Sequence, residues 1–73
     1  MYVLSISELR KVAATAGDIT AYAISRRAGI AESSAYRILN GQSQPDLNSA
    51  MRLAVAYGVE VSTLMVRETE AAI

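Results

Sequence analysis

The chain has 73 residues, seven basic against seven acidic side chains for a formal net charge of zero, and neither cysteine nor histidine. A disulfide is therefore excluded, the sulfur and imidazole ligands of a structural zinc site are missing, and two common proton carriers and nucleophiles of enzymes are absent. The length limits the chain to one domain, spanning 1–73, with so small a core that its stability must come from economical helix packing, self-association or both.

Residues 1–4, Met-Tyr-Val-Leu, are β-prone and short, and read as an extended arm or a strand added to a partner. Ser5-Ile6-Ser7-Glu8 is a capping box, in which the Ser5 hydroxyl and the Glu8 carboxylate satisfy orphan amides at a helix start. Ile6, Leu9, Val12, Ala13 and Ala16 then form one apolar stripe, so a first helix is expected over 6–16, ended by Gly17. Asp18-Ile19-Thr20 reads as a linker, with Thr20 as the cap of a second helix over 21–28. Ile24 and Ala28 face inward there, and Gly29 stops it. Ile30 anchors the turn. A third helix is expected over 32–40, with Ala35, Ile38 and Leu39 apolar, ending at Gly41. Gln42-Ser43-Gln44-Pro45 is a polar loop. Asp46 caps a fourth helix over 47–57, whose stripe is Leu47, Ala50, Met51, Ala54 and Tyr57. After Gly58 and a buried or half-buried Val59, a fifth short helix runs from Val61 to about Val66, and 67–73 is a mixed tail, helical or frayed. The four glycines punctuate the helices, as glycine does where a chain leaves a helix in the left-handed conformation. Five short helices joined by brief loops give a compact all-α domain.

Apolar residues make up 52% of the chain, more than a solvated monomer needs, so part of the surface is expected to meet another chain. No apolar run approaches the ~20 residues of a membrane span, and no basic-then-apolar start marks a signal peptide; a cytoplasmic protein is expected. The carboxylates are scattered, only Glu68 and Glu70 lying close, and the glycines stand alone rather than in a phosphate loop. No enzyme activity, metal, cofactor, small-molecule substrate or membrane partner is expected.

The informative stretch is Ala21 to Asn40. Ile24 is its fourth residue, the small Ser25 its fifth and Ala28 its eighth; Gly29 and Ile30 follow, and Ala35 and Ile38 complete the apolar positions. A small fifth residue lets two helices approach. The ninth position needs a positive φ for a sharp turn. The apolar positions hold the second helix against the first at a steep angle. This pattern resembles the Cro and phage-repressor type of helix-turn-helix, the Xre-like family. The resemblance extends over about residues 6–65, through Leu9-Arg10, Ile38-Leu39-Asn40-Gly41, Pro45, Leu53-Ala54, Tyr57-Gly58-Val59 and Leu64. It implies a five-helix, lambda-repressor-like domain whose third helix enters the DNA major groove.

Matched residue by residue, the resemblance implies base reading by Glu32, Ser33, Tyr36 and Arg37. Arg37 would fork onto guanine, Glu32 would accept from cytosine, and Tyr36 would touch a thymine methyl or a phosphate. Phosphate contacts are implied for Thr20, Ala21, Tyr22, Ser34, Asn40, Gly41, Gln42 and Gln44, with Arg26 and Arg27 adding positive charge and Gly29 forming the turn. Exposed amides at a helix start hold phosphate without a charged side chain. Ala21 stands where the family often has glutamine, Ala31 where it has a Ser or Thr cap, and Leu39 where it has an acidic residue. Ser25 replaces the usual alanine and is tolerated if its hydroxyl bonds a carbonyl one turn back.

Net charge is unevenly spread. Over 19–45, Arg26, Arg27 and Arg37 oppose only Glu32, a net +2; over 46–73, Arg52 and Arg67 oppose Asp46, Glu60, Glu68 and Glu70, a net −2. The neutral total thus conceals a basic motif and an acidic end, an asymmetry that orients a weak binder on DNA. Six arginines against one lysine hint at a GC-rich bacterial or phage genome. The reading is a sequence-specific transcriptional regulator, a Cro-like or immunity repressor, that binds double-stranded DNA as a homodimer through helices four and five with the tail or the N-terminal arm. Its alternatives are the antitoxin of a toxin–antitoxin pair, or a protein-interaction module on the same fold that has lost DNA binding.

Overall fold

The computed structural model describes residues 1–68 and gives, among them, five helices and a two-stranded sheet in the order β1 (Tyr2–Leu4), α1 (Ile6–Thr15), α2 (Ala21–Ala28), α3 (Glu32–Leu39), α4 (Leu47–Ala56), α5 (Val61–Leu64) and β2 (Met65–Arg67). The all-α class holds, with the small sheet as an addition. Residues 69–73 of the expected tail lie outside the described residues.

Side chains begin three of the helices as their sequence signals require. The Ser5 hydroxyl accepts from the Glu8 N–H at 3.3 Å, Thr20 Oγ1 from the Ala23 N–H at 3.1 Å, and Asp46 Oδ1 from the Ser49 N–H at 2.8 Å. Each such cap contributes about 1 kcal/mol. Ala31 gives α3 no side-chain cap, so that helix is held by its packing.

The core takes residues from every helix. Leu9 and Ala13 enter from α1, Ile24 and Ala28 from α2, Ile38 and Leu39 from α3, Leu53 and Ala54 from α4, and Leu64 from α5, with Leu4 added by β1. Leu9, Ile24, Leu53 and Leu64 are the largest fully buried side chains, and removing each from water is worth about 1.5–3 kcal/mol. Ser25 is buried where α2 meets the rest of the fold. Its hydroxyl donates to the Tyr22 carbonyl at 2.7 Å, which makes the polar residue tolerable there.

Two expectations need correction. The fifth helix ends at Leu64, not Val66, because Met65–Arg67 turn into a strand that pairs antiparallel with β1 in the register Tyr2↔Arg67, Val3↔Val66 and Leu4↔Met65. The pairing is continued by the Ser5 N–H on the Leu64 carbonyl at 2.7 Å and the Glu68 N–H on the Met1 carbonyl at 2.9 Å. It gives both extended segments backbone partners and draws Leu4 into the core, so residues 1–4 are a strand of their own chain, not a free arm. Asp18 lies in the α1–α2 connection, as expected, and is buried there. On α4 the buried arc is Ala50, Leu53 and Ala54, whereas Leu47, Met51 and Val55 are exposed at 76%, 45% and 74%. Met51 is turned about 100° round the helix from Ala50, which takes it past the edge of the core.

The chain passes from α2 to α3 through Gly29, at φ 72° and ψ 34°. The N–H groups of Gly29 and Ile30 both donate to the Ser25 carbonyl, at 2.9 and 3.1 Å. A side chain at this φ is strained, and a Cβ would also lie 3.2 Å from Nη1 of Arg52, which reaches across from α4. Gly29→Ala is expected to destabilise the fold by about 1–2 kcal/mol, a fall in Tm of roughly 4–8 °C per kcal/mol for a chain of this size. Thermal unfolding followed by circular dichroism checks this; an unchanged Tm would show that the turn does not need its left-handed geometry.

Candidate nucleic-acid interface

Burial of Ala35, Ile38 and Leu39 decides which side of α3 faces outward. Glu32, Ser33, Tyr36 and Arg37 all lie on the exposed side and together line one shallow depression. Ser33 and Arg37 are one turn apart, so their side chains share a face. Tyr36 is 59% exposed. None of the four makes a side-chain hydrogen bond or ion pair among the described residues, and Glu32 begins the helix, where a carboxylate also favours the dipole. Donors and acceptors of both signs are thus free on one helical face.

The residues expected to touch phosphates flank that face unequally. Tyr22 and Arg26 are exposed on α2, Ala21 is half-buried, and Thr20 spends its hydroxyl on the helix cap. Ser34 is half-buried beside the exposed turn of α3. Beyond α3, Asn40, Gly41 and Gln42 are exposed, and the Gln42 N–H donates back to the Arg37 carbonyl at 2.8 Å, closing the helix end. The side-chain carbonyl of Gln44 accepts the Leu4 N–H at 2.8 Å. Its amide oxygen therefore holds β1, leaving the NH₂ group for any contact with a ligand.

Arg27 stands apart from Arg26. Its Nε donates to Asp18 Oδ2 in an ion pair and its Nη2 to Asp18 Oδ1 at 3.3 Å. Its guanidinium also lies 5.9 Å from the centre of the Tyr57 ring. The Tyr57 hydroxyl donates to Asp18 Oδ2 at 2.8 Å. One carboxylate thereby ties the α1–α2 connection to α2 and to the end of α4. The sequence carried no local sign of this cluster, because Asp18 and Tyr57 are 39 positions apart and neither sits in a recognisable spacing with Arg27. Hydrogen bonds from Arg27 and Tyr57 hold the Asp18 carboxyl below its usual range. Burial first, and then the Asp18 carboxylate, push the Tyr57 hydroxyl upward. The amide and hydroxyl of Ser49 likewise lower Asp46.

No group of three or more potential metal ligands occurs among the described residues, and no described helix is long and apolar enough to cross a membrane. Among known proteins, a family model described as helix-turn-helix matches residues 6–64. Comparison with curated proteins and with solved structures gives no significant match.

The Asp18 cluster sets a pH dependence. With its folded pKa depressed, Asp18 binds fewer protons folded than unfolded, so its stabilisation is present above the ordinary carboxylate value of about 4 and is lost as pH falls through the folded value. Asp18→Asn is expected to lower Tm at pH 7 and to flatten its decline on acidification, leaving the remainder to Asp46. The Tm gap between the two proteins should therefore narrow below pH 4. Parallel curves at all pH values would show that the cluster does not stabilise the fold.

Proposed function

The chain belongs to the helix-turn-helix family of the Xre and Cro type, a family of DNA-binding transcription regulators, and from that premise we propose that it is a repressor that reads a palindromic operator as a homodimer. The observation that carries the reading is the α3 face, where Glu32, Ser33, Tyr36 and Arg37 are exposed together and free of partners within the described chain. Placed in the major groove, Arg37 presents a two-pronged donor for the O6 and N7 of guanine, and Glu32 accepts from the N4 of cytosine. Tyr36 offers its ring to a thymine methyl or its hydroxyl to a phosphate.

Grip on the backbone comes from the flanks. The amides at the starts of α2 and α3 point outward along helix axes and favour a phosphate oxygen, helped at α3 by the absence of a capping side chain. Tyr22, Ser34, Asn40, Gly41 and Gln42 supply the neutral contacts. Arg26 and Arg37 are the arginines of the motif free to carry positive charge to the DNA, Arg26 beside the phosphates and Arg37 in the groove, since Asp18 already holds Arg27. Two such groups per protomer give few released counterions. Two protomers on adjacent half-sites, roughly 34 Å apart, would combine these modest contacts into a useful affinity. Repression then follows from occupancy: a bound dimer covers the operator, in the cytoplasm, at a level set by the protein's own concentration.

Selection of DNA ligands from a random pool, followed by fluorescence anisotropy at two salt concentrations, tests this. The expected result is a palindromic site bound well above random DNA, with a slope of log affinity against log salt no steeper than about −4 for the dimer. Arg37→Ala is expected to cost about 1–3 kcal/mol on the selected site and to relax one base position. An equal loss on every sequence would mean that Arg37 grips phosphate only, and no selection at any salt would overturn the reading.

A further inference from the structure

The α4 helix has an unusual outer side. Of its exposed residues Leu47, Asn48, Met51, Arg52 and Val55, three are apolar and only Arg52 is charged. Leu47, Met51 and Val55 follow one another at intervals of four, so they form a single ridge along the helix. Nη1 of Arg52 lies toward Gly29, so the one charge of α4 stands beside the Val55 end of the ridge, toward the α2–α3 turn. A hollow lies at each end of the ridge. At the Leu47 end it is framed by Tyr2, Asp46, Ala50, Val61, Ser62 and Met65 and measures about 410 Å³. At the Val55 end it is framed by Arg27, Ala28, Arg52 and Ala56 beside Met51 and Val55 and measures about 300 Å³.

We propose that this ridge is the seat of a second copy of the chain, with the two α4 helices packed antiparallel across a two-fold axis at Met51. The arrangement of the ridge selects this occupant. Met51 is midway between Leu47 and Val55, so a two-fold axis at Met51 sets Leu47 of one protomer beside Val55 of the other, twice. Each projecting end of the ridge then meets the hollow at the far end of the partner's ridge, and one face provides both knob and hole, as a two-fold interface requires. Interlocking four-residue ridges is also the commonest way two helices pack. Antiparallel α4 helices place opposite dipole ends side by side. The β1 strand is already paired with β2 in its own chain, so the strands contribute only side chains, Tyr2 and Met65, to the hollow at the Leu47 end. This interface rests on the homodimer of the proposed function and gives it a location.

The absence of native cysteine makes single-cysteine variants of the full chain a clean test, with circular dichroism confirming that each remains helical. Under mild oxidation Met51→Cys is expected to form a disulfide-linked dimer. Leu47→Cys and Val55→Cys are expected to cross-link in a mixture and not separately. Met51→Glu is expected to weaken self-association at least tenfold by sedimentation equilibrium. A dimer that persists in Met51→Glu, or one that cross-links no better through Met51→Cys than through a control cysteine at Lys11, would overturn the interface, as would a chain that sediments as a monomer at high micromolar concentration. Selection of an operator by a protein whose Met51→Cys variant does not cross-link would refute the interface and keep the DNA reading. Cross-linking at Met51 without operator selection would do the reverse.

Discussion

Gly29 turns the backbone into the left-handed region between two short helices, and the exposed face of α3 is placed by that turn. The constraint is severe because α3 has only eight residues and no side-chain cap. Alone it would be a marginal helix. What keeps it in place is the double acceptance by the Ser25 carbonyl across the turn and the burial of Ala35, Ile38 and Leu39. Ser25 thus serves twice: its carbonyl closes the turn, and its small side chain, satisfied on the Tyr22 carbonyl, lets the helices approach. Behind α2, the Asp18 carboxylate joins Arg27 and Tyr57, so the first helix of the pair is tied at its back while the second is displayed at its front.

Electrostatics follow the same division. A net charge of zero would argue against a polyanion as ligand if charge were spread evenly, and segment counting shows that it is not. The structure narrows the basic side further, because Arg27 is held by Asp18 and works for the fold. What remains on the display side is a small set of arginines, hydroxyls, amides and one glutamate. Such a surface has little attraction for DNA in general and gains most where donors meet matching base edges. It suits the proposed reading, in which discrimination comes from hydrogen-bond pattern and affinity from pairing protomers.

Much of this was legible in the residues. The caps Ser5, Thr20 and Asp46 and the left-handed glycines mark helix boundaries to within about a residue, because capping and positive φ are local chemistry. The helix-turn-helix register could be read because Ile24, Ser25, Ala28, Gly29, Ala35 and Ile38 each answer a steric demand of one packed pair. The exposed positions of α3 followed from the buried ones. Three features were not legible, each for its own reason. The β2 strand depends on a partner more than sixty positions away in the chain, and Met65-Val66-Arg67 suits a helix end as well as a strand. The Asp18 cluster joins residues whose spacing has no meaning until α2 and α4 meet. The outward turn of Leu47 and Met51 went unseen because their spacing from Ala50 and Ala54 satisfies a helical stripe, and only the position of the fully buried Leu53 centres the true arc.

The central claim is that α3 and its flanks form the surface that meets DNA. Amide chemical-shift mapping by NMR, on titration with a short duplex carrying the selected site, tests it without altering a residue. The account predicts the largest changes at the start of α2, along Glu32 to Arg37 and through Asn40 to Gln42, with little change in α1. Changes confined to α1, or to α5 and the sheet, would contradict it.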